Sequence, residues 1–244
     1  MKAVILAAGM ASRLRPLTLH TPKCLLKVGD RCLLQRSIDA LVSNGIHEFV
    51  IVTGYLHEQI EQFVVSHYGE SISVRFIHND VFDSTNNIYS LWLARPEADG
   101  EEILLLDSDL LYDPQIITRV LSSDADNVLT LICHPLGEEE MKVVIGPDGK
   151  ITEISKTCDP RSAAGESLGI ERMGRSYTAA LFRTLEPMML NEGLQNVFYE
   201  KAFERLITQG HTYHVLNVSD LFSCELDTVE DFETAKQKIP AELY

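Results

Sequence analysis

A chain of 244 residues, 45% of them hydrophobic, has enough apolar material for a folded core, which excludes an intrinsically disordered protein. Its formal net charge of −15 excludes a protein that works by binding nucleic acid or an anionic membrane surface. The five cysteines are scattered and odd in number, so we expect neither a disulfide framework nor a zinc cluster. No apolar run reaches the roughly 18 residues of a membrane helix. The apolar stretch near the N-terminus is too short for a signal peptide, so a cytoplasmic protein without membrane insertion is expected.

The first half of the chain alternates predicted strands with predicted amphipathic helices. Strands are expected at Ala3–Ala7, Phe49–Thr53, Val74–His78 and Ile103–Leu106. Helices are expected at Leu33–Ser43, His57–Tyr68 and Asn87–Ala94. Strands that are apolar on both faces belong to parallel sheets covered by helices. This order therefore predicts an α/β protein with a Rossmann-like, doubly wound sheet.

The second half predicts further strands that make the sheet mixed. Strands are expected at Asn127–Cys133, Lys142–Ile145, Ile151–Ser155, Ser167–Arg172, Tyr177–Leu181 and His214–Val218. Two helices are expected, at Phe198–Thr208 and at Thr228–Lys238, the second capped by Thr228. The chain has no internal repeat and no linker rich in glycine, proline or serine. We therefore expect one domain over residues 1–244.

The loop after the first predicted strand combines small residues with basic ones. It contains Leu6, Ala7, Ala8 and Gly9, followed by the basic residues Arg13 and Lys23. Small side chains let backbone N–H groups approach a phosphate closely, and the two cations would lie beside it. The alternative is an ordinary strand-to-helix turn with two solvated basic residues. The loop matches neither the P-loop nor the dinucleotide-binding pattern.

Two pairs of acidic residues follow predicted strands. Asp107 and Asp109 end the strand at Ile103–Leu106, and positions two apart in an extended chain face the same side. Carboxylates there suit Mg²⁺, which takes oxygen ligands and shares them with substrate phosphates. Near the C-terminus, Glu225 and Asp227 show the same spacing. The alternative for each pair is a helix N-cap, a role for which Asp113 fits better than Asp107 or Asp109.

The N-terminal loop resembles the signature loop of the sugar-nucleotide pyrophosphorylase superfamily. The shared pattern is an apolar strand, Ala-Ala-Gly, Arg-Leu and then Pro-Lys, although Ala11 stands where a second glycine is usual. The resemblance implies a fold of the nucleotide-diphospho-sugar transferase type. It also implies that residues 1–130 bind the nucleotide and residues 131–244 the acceptor. In these families an Asp placed like Asp227 completes the metal site, so Asp109 and Asp227 are the implied Mg²⁺ ligands.

Three further stretches are similar to the phosphocholine cytidylyltransferase group. They are Asn86-Asn87-Ile88-Tyr89-Ser90, Gly165-Glu166-Ser167-Leu168-Gly169-Ile170, and Tyr199-Glu200 before a helix. The resemblance implies CTP as a partner, bound by Leu6, Ala7, Ala8, Gly9, Asn86, Asn87, Ser90 and Asp107. It implies an acceptor bound by Lys156, Glu166, Tyr199 and Glu200. Taken singly, the asparagines are also typical of helix caps, and the Tyr-Glu pair of an ordinary helix surface.

The implied reaction needs charge neutralisation more than a strong base. A phosphate monoester attacks the α-phosphorus of CTP and pyrophosphate leaves. Arg13 is expected to hold the pyrophosphate, and Lys23 to lie near the α-phosphate and the incoming phosphate. Lys156, and with a weaker case Lys142, would bind the acceptor phosphate; both also fit solvated lysines at a sheet edge. Carboxylates and an aromatic face would bind a cationic head group, as in phosphocholine, phosphoethanolamine or 2-aminoethylphosphonate.

Several alternatives stay open from the sequence. A sugar-1-phosphate or other polyol-phosphate nucleotidyltransferase using UTP, dTTP or CTP is the second candidate enzyme. A catalytically silent nucleotide-binding regulator is the candidate from another class. The sequence leaves open which acceptor is used, the pathway, the oligomeric state, including a homo-oligomer, and the roles of Lys142 and Glu225.

Overall fold

A central sheet of nine strands organises the computed structural model, which describes residues 1–243. The strands of the protein are β1 Lys2–Ala7, β2 Lys27–Val28, β3 Arg31–Cys32, β4 Glu48–Thr53, β5 Ser73–His78, β6 Ile103–Asp107, β7 Leu110–Tyr112, β8 Val128–Ile132, β9 Lys142–Ile145, β10 Ile151–Ser155, β11 Gly165–Met173, β12 His214–Asn217 and β13 Ser223–Glu225. The helices are α1 Leu33–Ser43, α2 His57–Tyr68, α3 Asn87–Leu93, α4 Arg95–Ala98, α5 Gln115–Leu121, α6 Arg175–Leu190, α7 Glu200–Thr208 and α8 Val229–Lys238. No helix within residues 1–243 is both long and apolar enough to cross a membrane.

The sheet is mixed, as the sequence predicts. Its order is β10-β9-β11-β6-β1-β4-β5, with β8 paired to β11 and β12 paired to β8. Strands β6, β1, β4 and β5 run parallel, whereas β11 runs antiparallel to β6. The carboxyl ends of β1 and β6 therefore meet at the same edge, where Leu6 pairs with Asp107. Open α/β sheets bind ligands at such an edge.

Helices cover both faces of the sheet, which confirms the doubly wound α/β fold class. On one face α3, α6 and α7 contribute buried residues such as Leu91, Leu181 and Phe203. On the other face α1, α2 and α5 contribute residues such as Ile38, Ile60 and Ile116. Because both faces are covered, β6 is fully buried from Ile103 to Leu106.

The prediction of a strand at Tyr177–Leu181 is wrong. These residues lie in α6, where Tyr177, Leu181, Thr184 and Met188 are buried at helical spacing. The segment is too short and too apolar for its period to distinguish a strand from one side of a helix. Once the helix is seen as a whole, the spacing of the buried residues is that of an amphipathic helix packed on the sheet.

A third, smaller cluster joins the two ends of the chain. Leu14 of the N-terminal loop packs with Leu226 and with Phe232 of α8. Strand β13 also pairs with β7, so that Glu225 lies opposite Leu110. These contacts place Asp227 beside the N-terminal loop and beside the end of β6.

Candidate active site

A cavity of about 900 Å³ opens at the carboxyl edge of the sheet. The residues predicted from the sequence that line it are Leu6, Ala7, Ala8, Gly9, Arg13, Lys23, Asn86, Asn87, Ser90, Asp107, Asp109, Lys156, Glu166, Glu200 and Asp227. Tyr199 does not line it. The structure thus brings together side chains that are more than 200 residues apart in the chain.

The loop of small residues forms one wall of the cavity. The backbone N–H of Tyr55 donates to the carbonyl oxygen of Ala8 at 3.0 Å. Gly54 is required at this contact, because a Cβ atom there would lie 2.7 Å from the Ala8 oxygen and 2.8 Å from Cβ of Phe82. Ala11 has a left-handed φ of 46° at the position of the family's usual second glycine. The loop therefore passes close to β4 and leaves the backbone around Gly9 open toward the cavity.

A corner of three carboxylates lies next to this loop. Carboxylate oxygens of Asp109, Glu225 and Asp227 all lie within 4.8 Å of one another. The backbone N–H of Leu226 donates to the Asp109 carbonyl at 3.1 Å, which fixes the two acidic segments side by side. Glu225, whose role the sequence left open, belongs to this corner.

Two basic side chains enter the carboxylate corner. The Lys23 ammonium donates to Asp109 and to Asp227, at 2.8 Å in each case, and Arg13 donates to the other oxygen of Asp227. Burial opposes the charge of Lys23, but the two carboxylates outweigh it and raise its pKa. Burial likewise acts against the Asp227 charge, yet Lys23 and Arg13 hold the pKa of that carboxyl below its ordinary value.

The helix-cap alternative for these acids does not describe the structure. Thr228 caps α8, and its side chain and that of Asp231 form a capping box. Asp113 accepts from the backbone N–H of Gln115 at 2.8 Å at the start of α5. Asp109 and Asp227 are left to face the cavity.

The asparagine motif has structural contacts as well as cavity-facing atoms. Asn86 caps α3 by accepting from the Asn87 backbone N–H at 2.8 Å. The side-chain oxygen of Asn87 accepts from the backbone N–H of Tyr199 at 2.9 Å, which ties α3 to α7. This contact occupies the Asn87 side-chain oxygen and leaves its amide NH₂ group as the polar group that can donate to a ligand. Ser90 lies at the same wall and accepts from the buried Asn79 at 3.2 Å.

At the acceptor-side wall of the cavity, Lys156 and Glu166 already have partners. The Lys156 ammonium lies 3.6 Å from Glu139 and 4.5 Å from the centre of the Phe198 ring. Glu166 contacts the His134 ring at 2.6 Å.

Glu200 lies at the same wall and has no such partner. It is only 7% exposed, and its Oε2 atom has no hydrogen-bond partner among residues 1–243. Burial raises the pKa of Glu200 to about 7. A buried, unpartnered acceptor that lines a cavity is suited to a ligand that brings donors.

The expected role of Tyr199 is wrong, and Lys142, whose role the sequence left open, does not line the cavity. Tyr199 is fully buried and donates from its hydroxyl to Asp107 at 2.9 Å, so its ring offers no face to a ligand. Lys142 is 1% exposed and donates to the backbone carbonyls of Lys156 and Glu140. Its role is to fix the strands beneath the cavity rather than to bind an acceptor phosphate.

Asp107 ends β6 and, like Asp109, is half-buried. Burial, together with the charges of Asp109, Glu171 and Glu200, raises its pKa well above the ordinary value. Gly169, with φ +80°, passes so close that a Cβ atom would lie 2.7 Å from the Asp107 carboxylate. Asp107 is therefore held in one position by Tyr199 on one side and β11 on the other.

Several residues that line the cavity were not predicted. They include Phe82 on the nucleotide-side wall and His134, Glu139 and Glu140 of the β8–β9 loop. That loop has no hydrophobic period and matches no motif, so no local signal marks it. Only the run of three glutamates, Glu138 to Glu140, hints at an exposed segment.

The fold and this arrangement of loop, cations and carboxylates define a nucleotidyltransferase-type protein. The chain belongs to the family of MobA-like NTP transferase domains, which matches residues 3–202. A solved structure of the CTP:phosphocholine cytidylyltransferase from Streptococcus pneumoniae superposes with a TM-score of 0.80, covering 98% of this chain and 99% of that chain. At 23% identity, this likeness establishes the fold.

Two curated relatives lie in the same group. The choline-phosphate cytidylyltransferase of Streptococcus pneumoniae (strain ATCC BAA-255 / R6) is 40% identical over 154 residues, 63% of this chain and 63% of that protein. The CMP-5'-(3-aminopropyl)phosphonate synthase of Streptomyces rubellomurinus (strain ATCC 31215) is 28% identical over 243 residues, 94% of this chain and 37% of that protein. The chain thus spans less than two thirds of the length of either relative. The predicted resemblance to the cytidylyltransferase group is confirmed.

Proposed function

We propose that this protein transfers CMP from CTP to a small phosphorylated or phosphonate acceptor with a cationic group, releasing pyrophosphate. The observation that carries this proposal is the composition of one cavity. It joins a small-residue loop and two cations at one side to the buried, unpartnered Glu200 at the other. The relatives named for choline-phosphate and for an aminopropylphosphonate support it. Both names describe a molecule with a phosphate or phosphonate group at one end and a cationic nitrogen at the other.

The carboxylate corner fits Mg²⁺. Its donors are oxygens, and Oδ1 of Asp109 is buried without a hydrogen-bond partner among the described residues. Asp109 and Asp227 would hold the ion, with Glu225 beside them. When bound, it supplies positive charge to the α- and β-phosphates of the nucleotide.

The chain's own residues supply the rest of the chemistry. An acceptor phosphate oxygen forms a bond to the α-phosphorus of CTP, while the bond from that phosphorus to the bridging oxygen breaks and pyrophosphate takes the electron pair. Lys23 neutralises charge at the α-phosphate, and Arg13 binds the departing pyrophosphate. Lys156 orients the acceptor phosphate. The attacking oxygen is already anionic, so positioning and electrostatics carry the catalysis.

In this proposal residues 1–130 form the nucleotide-binding half of the domain, and residues 131–244 form the acceptor-side half. The loop around Gly9 binds phosphates, and Asn86, Asn87 and Ser90 meet the base. Asp107 lies between the two halves at the end of β6.

A substrate panel tests the proposal. CTP, UTP, dTTP and GTP are each combined with phosphocholine, phosphoethanolamine and glucose 1-phosphate, and pyrophosphate release is measured. Release with CTP and an amino-alcohol phosphate is expected. Release only with UTP or dTTP and the sugar phosphate would identify a sugar nucleotidyltransferase instead. Nucleotide binding by calorimetry without release from any combination would indicate a silent regulator.

A further inference from the structure

The side chains around Glu200 can be compared with the needs of two common organic cations, the quaternary and the primary ammonium group. A quaternary ammonium group has no N–H and is bound mainly by aromatic faces. A primary ammonium group carries three N–H donors and is bound by oxygen acceptors. The side chains at this wall therefore indicate which kind of head group it receives.

Aromatic faces are scarce in the cavity. Among its described lining residues only Phe82 and Phe198 carry phenyl rings, and the imidazole of His134 already contacts Glu166 at 2.6 Å. Phe82 lies next to Gly54 beside the phosphate loop, and the Phe198 ring already has the Lys156 ammonium 4.5 Å from its centre. Tyr199, which the sequence placed here, is fully buried. Nothing in the described cavity forms a cage of two or more free rings.

Tyrosines behind the wall do not supply such faces either. Tyr177 and Tyr213 are at most 1% exposed, and their rings pack against each other with centroids 4.5 Å apart. They stiffen the core behind α7 and are shielded from the cavity.

Carboxyl acceptors, in contrast, are present in excess. Glu200 lines the cavity with an unpartnered Oε2, and behind it Glu171 is fully buried and also has an unpartnered Oε2. Within residues 1–243 no lysine, arginine or histidine side chain hydrogen-bonds to Glu200, Glu171 or Asp107. Hydroxyl groups of Tyr199 and Ser167 donate to Asp107 and Glu171, but the Oε2 atoms of Glu200 and Glu171 have no donor among the described residues. Buried carboxylate oxygens without a donor are unfavourable, so this wall is poised for a ligand that brings both positive charge and N–H groups.

We infer that the acceptor carries a primary ammonium group, as in phosphoethanolamine or 2-aminoethylphosphonate, and that its N–H groups donate to Glu200. The inference rests on the proposed cytidylyl transfer. Lys156 would bind the phosphate or phosphonate of the same molecule, because its ammonium and Glu200 line the same wall and influence each other electrostatically. Methyl groups on the nitrogen would then remove donors while leaving the charge intact.

A methylation series with the unmodified protein tests the inference. The kcat/KM of CTP-dependent pyrophosphate release is compared for phosphoethanolamine, its N-methyl and N,N-dimethyl derivatives, and phosphocholine. We expect a stepwise fall, reaching about 100-fold for phosphocholine, because a site built to donate or accept hydrogen bonds rejects an analogue that lacks them. A flat or rising series would overturn the inference and leave the proposed function standing.

A second measurement identifies the residue. Glu200→Gln is expected to raise the KM for phosphoethanolamine at least about tenfold, the loss of one charge-assisted hydrogen bond, with the KM for CTP unchanged. Glu58→Gln, which changes an exposed glutamate on α2 outside the cavity, is the matched control. An unchanged KM in Glu200→Gln, or a preference for glycerol 3-phosphate, would also overturn the inference. If no acceptor of the series supports release with CTP, the proposed function itself fails.

Discussion

The ammonium group of Lys23 lies 2.8 Å from the carboxylate of Asp109, in the corner where we place the metal. The same ammonium donates to Asp227, so one cationic side chain bridges both proposed metal ligands. Lys23 is thus the counter-ion of both carboxylates, and in the proposed reaction it binds a phosphate of the nucleotide. A divalent ion bound by these two carboxylates would compete with Lys23 for them, and the ammonium would then bind the nucleotide phosphates instead.

Replacing this lysine should therefore strengthen metal binding in the absence of nucleotide. Lys23→Met leaves the carboxylate corner without its bridging cation, and we expect its affinity for Mn²⁺ to rise about tenfold or more. Isothermal titration calorimetry on the nucleotide-free protein measures this directly. Lys27→Met, an exposed residue outside the cavity, is the control. Equal Mn²⁺ affinities in Lys23→Met and the unmodified protein would show that Lys23 does not compete with the metal.

The two carboxylates themselves should be essential for turnover. Asp109→Ala and Asp227→Ala are each expected to lower kcat by about two orders of magnitude or more, the usual effect of losing a group that neutralises transferring phosphate. Asp124 is an exposed acid outside the cavity, so Asp124→Ala controls for the change in net charge. Pyrophosphate release at saturating Mg²⁺ is the measurement. Near-normal kcat in either variant would remove that residue from the site.

Base selection gives the third prediction. The unmodified protein should prefer CTP over UTP, because a site with hydrogen bonds made to the exocyclic amine of cytosine can reject a base that lacks it. Equal kcat/KM for the two nucleotides would contradict the cytidylyl assignment and leave the nucleotidyltransferase class intact.

Asn87 offers a sharper version of this test. Its oxygen accepts from the Tyr199 backbone N–H, so Asn87→Asp keeps that acceptor and replaces the amide donor with a negatively charged oxygen. We expect kcat/KM for CTP to fall about tenfold or more, with the melting temperature nearly unchanged. Asn127 does not line the cavity, and its side-chain oxygen accepts from the Gly174 backbone N–H at 2.9 Å. Asn127→Asp is therefore the matched control. Unaltered CTP kinetics in Asn87→Asp would exclude its amide from base binding.

Local patterns predicted the parts of the site that lie at strand ends. Asp107 and Asp109 follow a strand whose apolar run is unambiguous, and the small-residue loop follows another. The pairing of β7 with β13 could not be predicted from the sequence, because each strand has only three residues and the two lie far apart in the chain. Their pairing, which fixes Asp227 beside Asp109, follows from the packing of α8 rather than from any local period.

The direction of single side chains was the other weakness. The Tyr199-Glu200 pair begins α7, and the sequence cannot show which of two adjacent residues faces the cavity. Glu200 does, whereas Tyr199 turns inward to Asp107. For Lys142 the sequence left two roles open, a phosphate ligand and a solvated lysine at a sheet edge. It has neither, because its ammonium group is buried and donates hydrogen bonds to two backbone carbonyls.

The buried acid Glu200 should make stability depend on pH in a direction opposite to that of an ordinary paired carboxylate. Burial raises its pKa from 4.5 to about 7, so the folded chain keeps this proton over a pH range in which the unfolded chain has lost it. The free energy of unfolding must then fall as pH rises from about 4.5 to about 7, because the folded state binds more protons there. Lys156 partly offsets the cost of the charge, whereas Glu204 adds to it.

Glu200→Gln removes this titration. We therefore expect the variant to exceed the unmodified protein in unfolding free energy by about 1–3 kcal/mol at pH 8, with little difference at pH 4.5, since each pKa step corresponds to about 1.36 kcal/mol. Urea denaturation at both pH values measures the difference, and Glu58→Gln, an exposed glutamate on α2, is the control. Glu171 and Asp107 titrate in the same direction, so the comparison is between variants at each pH rather than along one curve. If the two proteins differed in unfolding free energy by the same amount at pH 4.5 and pH 8, burial of the Glu200 charge would not be the cause of the difference. A gain confined to high pH, reversed when phosphoethanolamine is added, would show that the folded protein tolerates an unfavourable carboxylate because the cationic acceptor binds to it.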